Sequence, residues 1–283
     1  MEIKRIGVVG AGTMGAQIAA QSALHGLDVV LVDSDEGQLA EAERSNRRLL
    51  ERRADKGTMT KEEVVSGLGR IRASRDLEEI ATCQLVIEAV FEDMAVKRAV
   101  FAELAEICAP DAILATNSST FPISRLYDDL PYPDRACNLH FFHPVLAMRL
   151  VEIMRGPETS DETVAALIAF ADRIEREAVL IEREISGLIV NRILAAIKRE
   201  ALWLASEGYA EPEDIDRAVK MGLNHPMGPF ELTDFSGLDV FYRIMRQRYE
   251  ESGDEAWKPP RLLEKKVQAG ELGRKTGKGF YSY

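Results

Sequence analysis

The residues best suited to chemistry are a glycine-punctuated turn, an acid some twenty residues beyond it, and a histidine followed twelve positions later by a glutamate. Gly10-Ala11-Gly12-Thr13-Met14-Gly15 follows a short apolar run, KRIGVVG, and opens a helical pattern. In that setting the first glycine permits a tight turn, the second lets the backbone approach a pyrophosphate, and the third lets helix and strand pack closely. The N–H groups at the helix start then face the phosphates. Asp33 ends the next apolar run, DVVLVD, where a carboxylate can accept hydrogen bonds from an adenosine ribose. The same charge repels a 2′-phosphate, which favours NAD over NADP. A glycine turn kept only for packing is the competing reading, and the strand, helix and acid found together weigh against it. His140 and Glu152 lie on two further apolar runs, ACNLHF and RLVEIM. An imidazole exchanges protons near neutral pH, and a neighbouring carboxylate orients the ring and stabilises imidazolium. A strand, loop and strand of that length lets the two meet. Taken alone, they read as a satisfied core histidine and a surface acid.

The hydrophobic pattern supplies the elements that must hold these groups. After KRIGVVG, a helical stretch from Thr13 to Leu24 stops at His25-Gly26, and DVVLVD follows at once. Further buried-strand candidates are QLVIEAV (84–90), AILATN (112–117), ACNLHF (136–141) and RLVEIM (149–154), with a helical pattern over 94–108, and the alternation ends after the run AVLIERE (178–184). This alternation predicts an α/β fold: a mostly parallel, doubly wound sheet of Rossmann type with helices on both faces. Between the second and third of these runs lie about fifty residues without a strand signal. They read as a long helix from about Asp35 to Asp55 and a short one opening at Thr60, a helical arm over about 35–70 that projects from the sheet. From Ser186 the pattern is helical, Pro212 opens another helix, one more follows Gly237, and the chain closes on a basic, glycine-rich tail, GRKTGKGFYSY. The expected organisation is an NAD-binding domain over 1–185 and a smaller all-α domain over 186–283.

Length and charge bound what the chain can do. At 283 residues it suits two domains, and a formal net charge of −11 disfavours a nucleic-acid partner. No uncharged apolar run reaches the roughly 18 residues of a membrane span. The three cysteines, Cys83, Cys108 and Cys137, are odd in number and widely spaced, so they read as reduced thiols in a cytoplasmic protein. The few residues before the glycine turn leave no room for a signal peptide. His140 and His143 have no third ligand at a suitable spacing, so no metal site is expected.

The stretch His140-Phe141-Phe142-His143-Pro144 with Met148-Arg149-Leu150-Val151-Glu152-Ile153 resembles the active-site segment of the L-3-hydroxyacyl-CoA dehydrogenases. The resemblance runs along nearly the whole chain: IGVVGAGTMGAQIA, EAVFEDMAVK, ATNSST, GLIVNRIL, HPMGPFELTDFSGLD and GRKTGKGFY. It implies that His140 is the base taking the proton of the substrate 3-hydroxyl while hydride passes to the nicotinamide, with Glu152 as its acid partner. It assigns Ser119 to the substrate oxygen and the nicotinamide side of the site, and Asn191 to the reacting oxygen. It makes Glu92 and Lys97 cofactor contacts. Each has a plainer reading: a helix N-cap for Ser119, a helix-surface amide for Asn191, and a solvated helix-start pair for Glu92 and Lys97. The sequence departs from the resemblance at His143, where many members have an asparagine that helps bind the nicotinamide ribose; a histidine can donate or accept there.

From Arg44 to Arg75 the arm carries ten basic residues against four acids, inside an acidic chain. Coenzyme A bears a 3′-phosphate and a pyrophosphate, which such a surface can attract. Lys56, in KGTMT, matches a CoA-contacting lysine of the resembled family, and Thr58 replaces that family's second lysine. For any single charge a solvated helix is the plainer reading. The resemblance thus implies an NAD-dependent dehydrogenase of short-chain acyl-CoA substrates such as 3-hydroxybutyryl-CoA. A dehydrogenase of hydroxy acids or alcohols lacking CoA, and a cofactor-binding protein without catalysis, are the alternatives. Long apolar stretches in the helical region, LIVNRIL and Phe235 to Met245, point to a homodimer formed through that domain.

Overall fold

The computed structural model describes residues 2–127 and 130–283. It divides into two compact units, Met1–Ile189 and Val190–Tyr283. The first unit runs β1 (Arg5–Val9), α1 (Thr13–Leu24), β2 (Asp28–Val32), α2 (Glu36–Asp55), α3 (Lys61–Leu68), β3 (Ile71–Ser74), β4 (Leu85–Glu88), α4 (Met94–Ile107), β5 (Ile113–Thr116), β6 (Ala136–Phe141), β7 (Leu150–Arg155), α5 (Asp161–Arg173) and β8 (Glu177–Ile181). The strands form one sheet in the order β3-β2-β1-β4-β5-β6-β7-β8. Only the β6/β7 pair is antiparallel. The first six strands thus follow the doubly wound order, with its crevice where β1 meets β4.

Strand side chains alternate between the two faces, and here both are apolar. Ile6, Val8, Val29, Leu31, Leu85, Ile87, Ile113, Ala115, Leu139 and Val151 share a core with α1 and α5 residues such as Ile18 and Phe170. Val9, Val30, Val32, Val86 and Leu114 face Phe101 and Leu104 of α4. Burial on both sides explains why the sequence shows continuous apolar runs rather than alternation.

The arm is the α2–α3 hairpin. Asp35 caps α2 through the Gly37 N–H, and Thr60 and Glu63 form a reciprocal capping box at α3. Its inner face is tied down: Leu50 packs with Ala20 of α1 and Val64 of α3, and Asn46 donates to the Ala16 carbonyl at 2.7 Å. Only the charged outer face and the tip project. The region expected to lack a strand contains β3, which pairs with β2 at the sheet edge. Its four residues, Ile-Arg-Ala-Ser, are none of them fully buried, so the apolar signal is too weak to read in the sequence.

The second unit holds α6 (Val190–Ser206), α7 (Pro212–Leu223), α8 (Pro229–Ser236), α9 (Leu238–Ser252) and α10 (Arg261–Gln268). They surround a core that includes Leu202, Ile215, Phe230, Phe241, Met245 and Leu263. The basic tail is part of this fold. Buried Asp234 accepts hydrogen bonds from the Phe280 and Tyr281 N–H groups at 2.8 and 2.9 Å and from the Tyr283 hydroxyl at 3.1 Å. Buried Asp216 accepts from the first turn of α8 and from the Tyr281 hydroxyl. Lys275 pairs with Asp239 and Lys278 with Glu271. Among the described residues no helix is long and apolar enough to cross a membrane.

Candidate active site

The groups of the first unit that the sequence singled out for cofactor or proton chemistry, the arm apart, come from the strand ends on one edge of the sheet, the loops that leave them and the first turns of α1 and α4. The glycine turn leaves the carboxyl end of β1. Gly10 has φ +102°, and its N–H donates to the Val32 carbonyl at 2.7 Å. A Cβ there would sit 2.7 Å from the Ala89 carbonyl oxygen, so the turn passes against the exit of β4. A Cβ on Gly15 would lie 1.8 Å from the Gly10 carbonyl oxygen, which leaves glycine as the residue that fits where α1 crosses the turn. At Gly12 a Cβ would meet nothing within 4 Å, and no side chain caps α1. The helix start therefore keeps donors and open space for a diphosphate. Met14 is half-buried against the sheet core. Asp33, just beyond β2, accepts from the Ala11 N–H at 2.7 Å and the Asp35 N–H at 2.9 Å. Each carboxylate oxygen retains a lone pair for a ribose hydroxyl. These features fit NAD.

The loop from β4 to α4 is fixed by a buried ionic network. Glu88 is fully buried; it accepts from the Val90 N–H at 2.7 Å, the Thr116 hydroxyl at 2.7 Å and Lys97 Nζ at 2.8 Å. Lys97 is 1% exposed and also reaches Glu92 at 3.1 Å. Glu92 in turn accepts from the Ser118 hydroxyl at 2.6 Å and the Thr120 N–H at 3.1 Å. Burial alone would raise the Glu92 carboxyl, but the Lys97 charge and these hydrogen bonds hold it below its usual range. The solvated helix-start reading of Glu92 and Lys97 is thereby set aside: Lys97 is a buried tie between two carboxylates.

The same network explains ATNSST. Ser118, not Ser119, plays the capping part, accepting from the Thr120 and Phe121 N–H groups at 3.2 and 2.8 Å. Ser119 is half-buried, and its hydroxyl makes no hydrogen bond to the described residues. Asn117 accepts from the Phe141 N–H at 2.9 Å and so clamps β6 beside His140.

His140 and Glu152 are direct cross-strand partners in the β6/β7 ladder, so their side chains share a face. His140 Nδ1 lies 3.2 Å from Glu152 Oε2. Glu152 is fully buried, and its other oxygen accepts from the Ile189 N–H at 3.0 Å. Phe142 stands edge-on to the imidazole, with ring centres 4.6 Å apart. With Nδ1–H directed at the carboxylate, Nε2 is left with its lone pair as an acceptor for a substrate proton. Glu152 is thus not a surface acid but the buried partner of a buried histidine. His143 is exposed in the turn after β6. Lys56 is exposed at the end of α2, and Asn191 is the second residue of α6 in the helical unit.

Three residues of this site were missed from the sequence. Glu88 closes an apolar strand and gave no sign beyond being an acid in LVIE. Asn117 and Ser118 act on backbone groups that no spacing reveals.

A diphosphate cradle on the sheet edge that also carries a carboxylate-paired histidine defines an NAD-dependent dehydrogenase. Residues 5–185 match the family model for the NAD binding domain of 3-hydroxyacyl-CoA dehydrogenase, and residues 187–283 match that for its C-terminal domain. A probable 3-hydroxybutyryl-CoA dehydrogenase of Bacillus subtilis is 42% identical, covering 100% of this chain and 98% of its own. The 3-hydroxybutyryl-CoA dehydrogenase of Bradyrhizobium diazoefficiens is also 42% identical, over 99% of this chain and 96% of that one. The crystal structure of (S)-3-hydroxybutyryl-CoA dehydrogenase from Ralstonia eutropha superposes with a TM-score of 0.93 at 36% identity, covering 100% of this chain and 99% of that chain. The protein belongs to the 3-hydroxyacyl-CoA dehydrogenase family.

Proposed function

We propose that this enzyme interconverts L-3-hydroxyacyl-CoA and 3-ketoacyl-CoA with NAD, and that its preferred substrate is short, such as 3-hydroxybutyryl-CoA. The observation that carries the chemistry is the His140–Glu152 pair on the cofactor edge of the sheet; the chain length follows the names of the relatives. NAD, when bound, accepts hydride from the substrate carbinol carbon. His140 Nε2 takes the hydroxyl proton in the oxidative direction and returns it in reduction, while buried Glu152 holds the ring and offsets the imidazolium charge. Ser119, whose hydroxyl has no partner among the described residues, is proposed to hold the reacting oxygen; Asn191 is proposed for the same oxygen. His143 is proposed to contact the nicotinamide ribose.

The test of substrate class is NADH consumption with acetoacetyl-CoA against free acetoacetate. A large advantage in kcat/KM for the thioester is expected, and equal rates would favour a hydroxy-acid dehydrogenase on the same scaffold.

The arm supports a CoA contact. Arg44, Arg47, Arg48, Arg70 and Arg72 each have a carboxylate partner, in Glu41, Glu43, Asp28 or Glu79. Arg52, Arg53, Lys56 and Lys61 have none among the described residues and Arg75 bonds to the Ser34 carbonyl, so most of the unpaired charge lies around the tip. Lys56→Glu is expected to raise KM for acetoacetyl-CoA by about tenfold, the scale of one charge-assisted hydrogen bond, with kcat little changed. Steady-state kinetics at fixed ionic strength checks this. In the helical unit Ile193, Phe235, Met221 and Leu223 are 57, 60, 81 and 62% exposed, which supports a homodimer through this unit; light scattering at micromolar concentration is the check. Burial raises the Cys83 and Cys137 thiols to about 11 and 12, so they stay protonated, in keeping with a cytoplasmic enzyme.

A further inference from the structure

Phe91 is 80% exposed, in the β4–α4 loop at the cofactor edge. The backbone around it is held on every side. The Val90 N–H donates to Glu88, and the Val90 carbonyl accepts from Lys97 Nζ at 3.4 Å. The Phe91 carbonyl accepts from the Asp93 N–H at 2.8 Å, and the next side chain, Glu92, is bound to Ser118, Thr120 and Lys97. A fixed loop therefore presents an aromatic ring to solvent, leaving much of a large apolar surface wet that a packed position would have hidden.

The position of the ring says what should cover it. The Gly10 turn runs against Ala89 and Val90, where a Cβ would come within 2.9 Å of the Val90 nitrogen. Phe91 is the next residue. Along the sheet, β2 ends at Asp33, β1 ends at the glycine turn, β4 ends beside Phe91, and His140 lies further on in β6. A dinucleotide with its adenosine ribose on Asp33 and its diphosphate on the turn must carry its other half past β4 to reach His140.

From this placement we infer that Phe91 is a cofactor-binding residue, its ring lying against the nicotinamide-ribose half of bound NAD and shielding it from water. This deepens the NAD reading of the site and rests on it. The contact is apolar and tolerant of shape, so it adds affinity for that half of the cofactor and leaves the adenosine half untouched.

The experiment is a titration of wild type, Phe91→Ala and Phe91→Leu with NADH, followed by nicotinamide fluorescence, and with ADP, followed by calorimetry. ADP carries the adenosine and both phosphates but nothing beyond them. Phe91→Ala is expected to raise Kd for NADH by about tenfold, with Phe91→Leu recovering most of the loss, while Kd for ADP stays within about twofold. The inference is overturned if Phe91→Ala binds NADH within about twofold of wild type, or if ADP weakens as much as NADH. Failure of the wild type to bind NADH would instead overturn the cofactor reading, and the role of Phe91 with it. Because the side chain is largely exposed, the melting temperature should be the same in all three proteins.

Discussion

Replacing His140 by asparagine is expected to lower kcat for acetoacetyl-CoA reduction by about a hundred- to ten-thousand-fold, the usual range for removing a positioned general acid–base. Asparagine can still bond to Glu152 and fill much of the space, but its amide exchanges no proton near neutral pH. NADH binding should change little, because the glycine turn and Asp33 lie just beyond β1 and β2 and share no hydrogen bond with the imidazole. Fluorescence titration and stopped-flow turnover separate the two effects. Unchanged turnover would remove His140 from the reaction, whereas loss of NADH binding would recast it as a structural residue. Glu152→Gln should cost less than His140→Asn, because the amide oxygen can still accept from the ring, while the bond from the Ile189 N–H and the charge that offsets imidazolium are lost.

The second large effect is expected from Lys97→Met, and it falls on stability. The substitution leaves Glu88 fully buried with its ammonium partner gone and only the Thr116 hydroxyl and Val90 N–H to satisfy it. Stranding one member of a buried ion pair costs about 3–5 kcal/mol. For a unit of this size that corresponds to a fall of roughly 10 °C in melting temperature. The double variant Glu88→Gln/Lys97→Met should be more stable than Lys97→Met alone, since the charge that lacks a partner has been removed as well. Urea unfolding of the full chain measures both. Equal stability of single and double variants would mean that the pair is not coupled. The single variant should also bind NADH more weakly, because Glu92 loses the charge that holds it against the Ser118 turn.

Much of the architecture is legible because parallel strands buried on both faces must be nearly all apolar, and DVVLV or LVIE can hardly be anything else. β3 escapes because an edge strand of four residues with its arginine in water carries no such signature. At the site, the resemblance implies the His140–Glu152 pair, and two strands joined by a short loop allow it, but the spacing alone does not single it out. Ser118 could not be told from Ser119: both are serines, and only the fold decides which hydroxyl turns inward to Glu92 and which stays free. The arm shows the same limit. Its basic surplus is plain, but Glu41, Glu43, Asp28 and Glu79 neutralise five of the eight arginines from outside the counted stretch. The tail GRKTGKGFYSY reads from composition only as basic and glycine-rich, and the fold shows its lysines paired with Asp239 and Glu271.

Because β6 and β7 are joined by ladder hydrogen bonds, the spacing of imidazole and carboxylate is indifferent to the turn between them. The exposed positions 147–149 of that hairpin can therefore be redecorated to suit new acyl groups without retuning the proton relay. A deletion inside β6 has the opposite outcome. Slipping the strand by one residue would turn the ring toward the greasy layer that holds Leu139 and Phe141, and an engineered library should spare those six positions together with His143 and the buried Val145 and Leu146 of the turn.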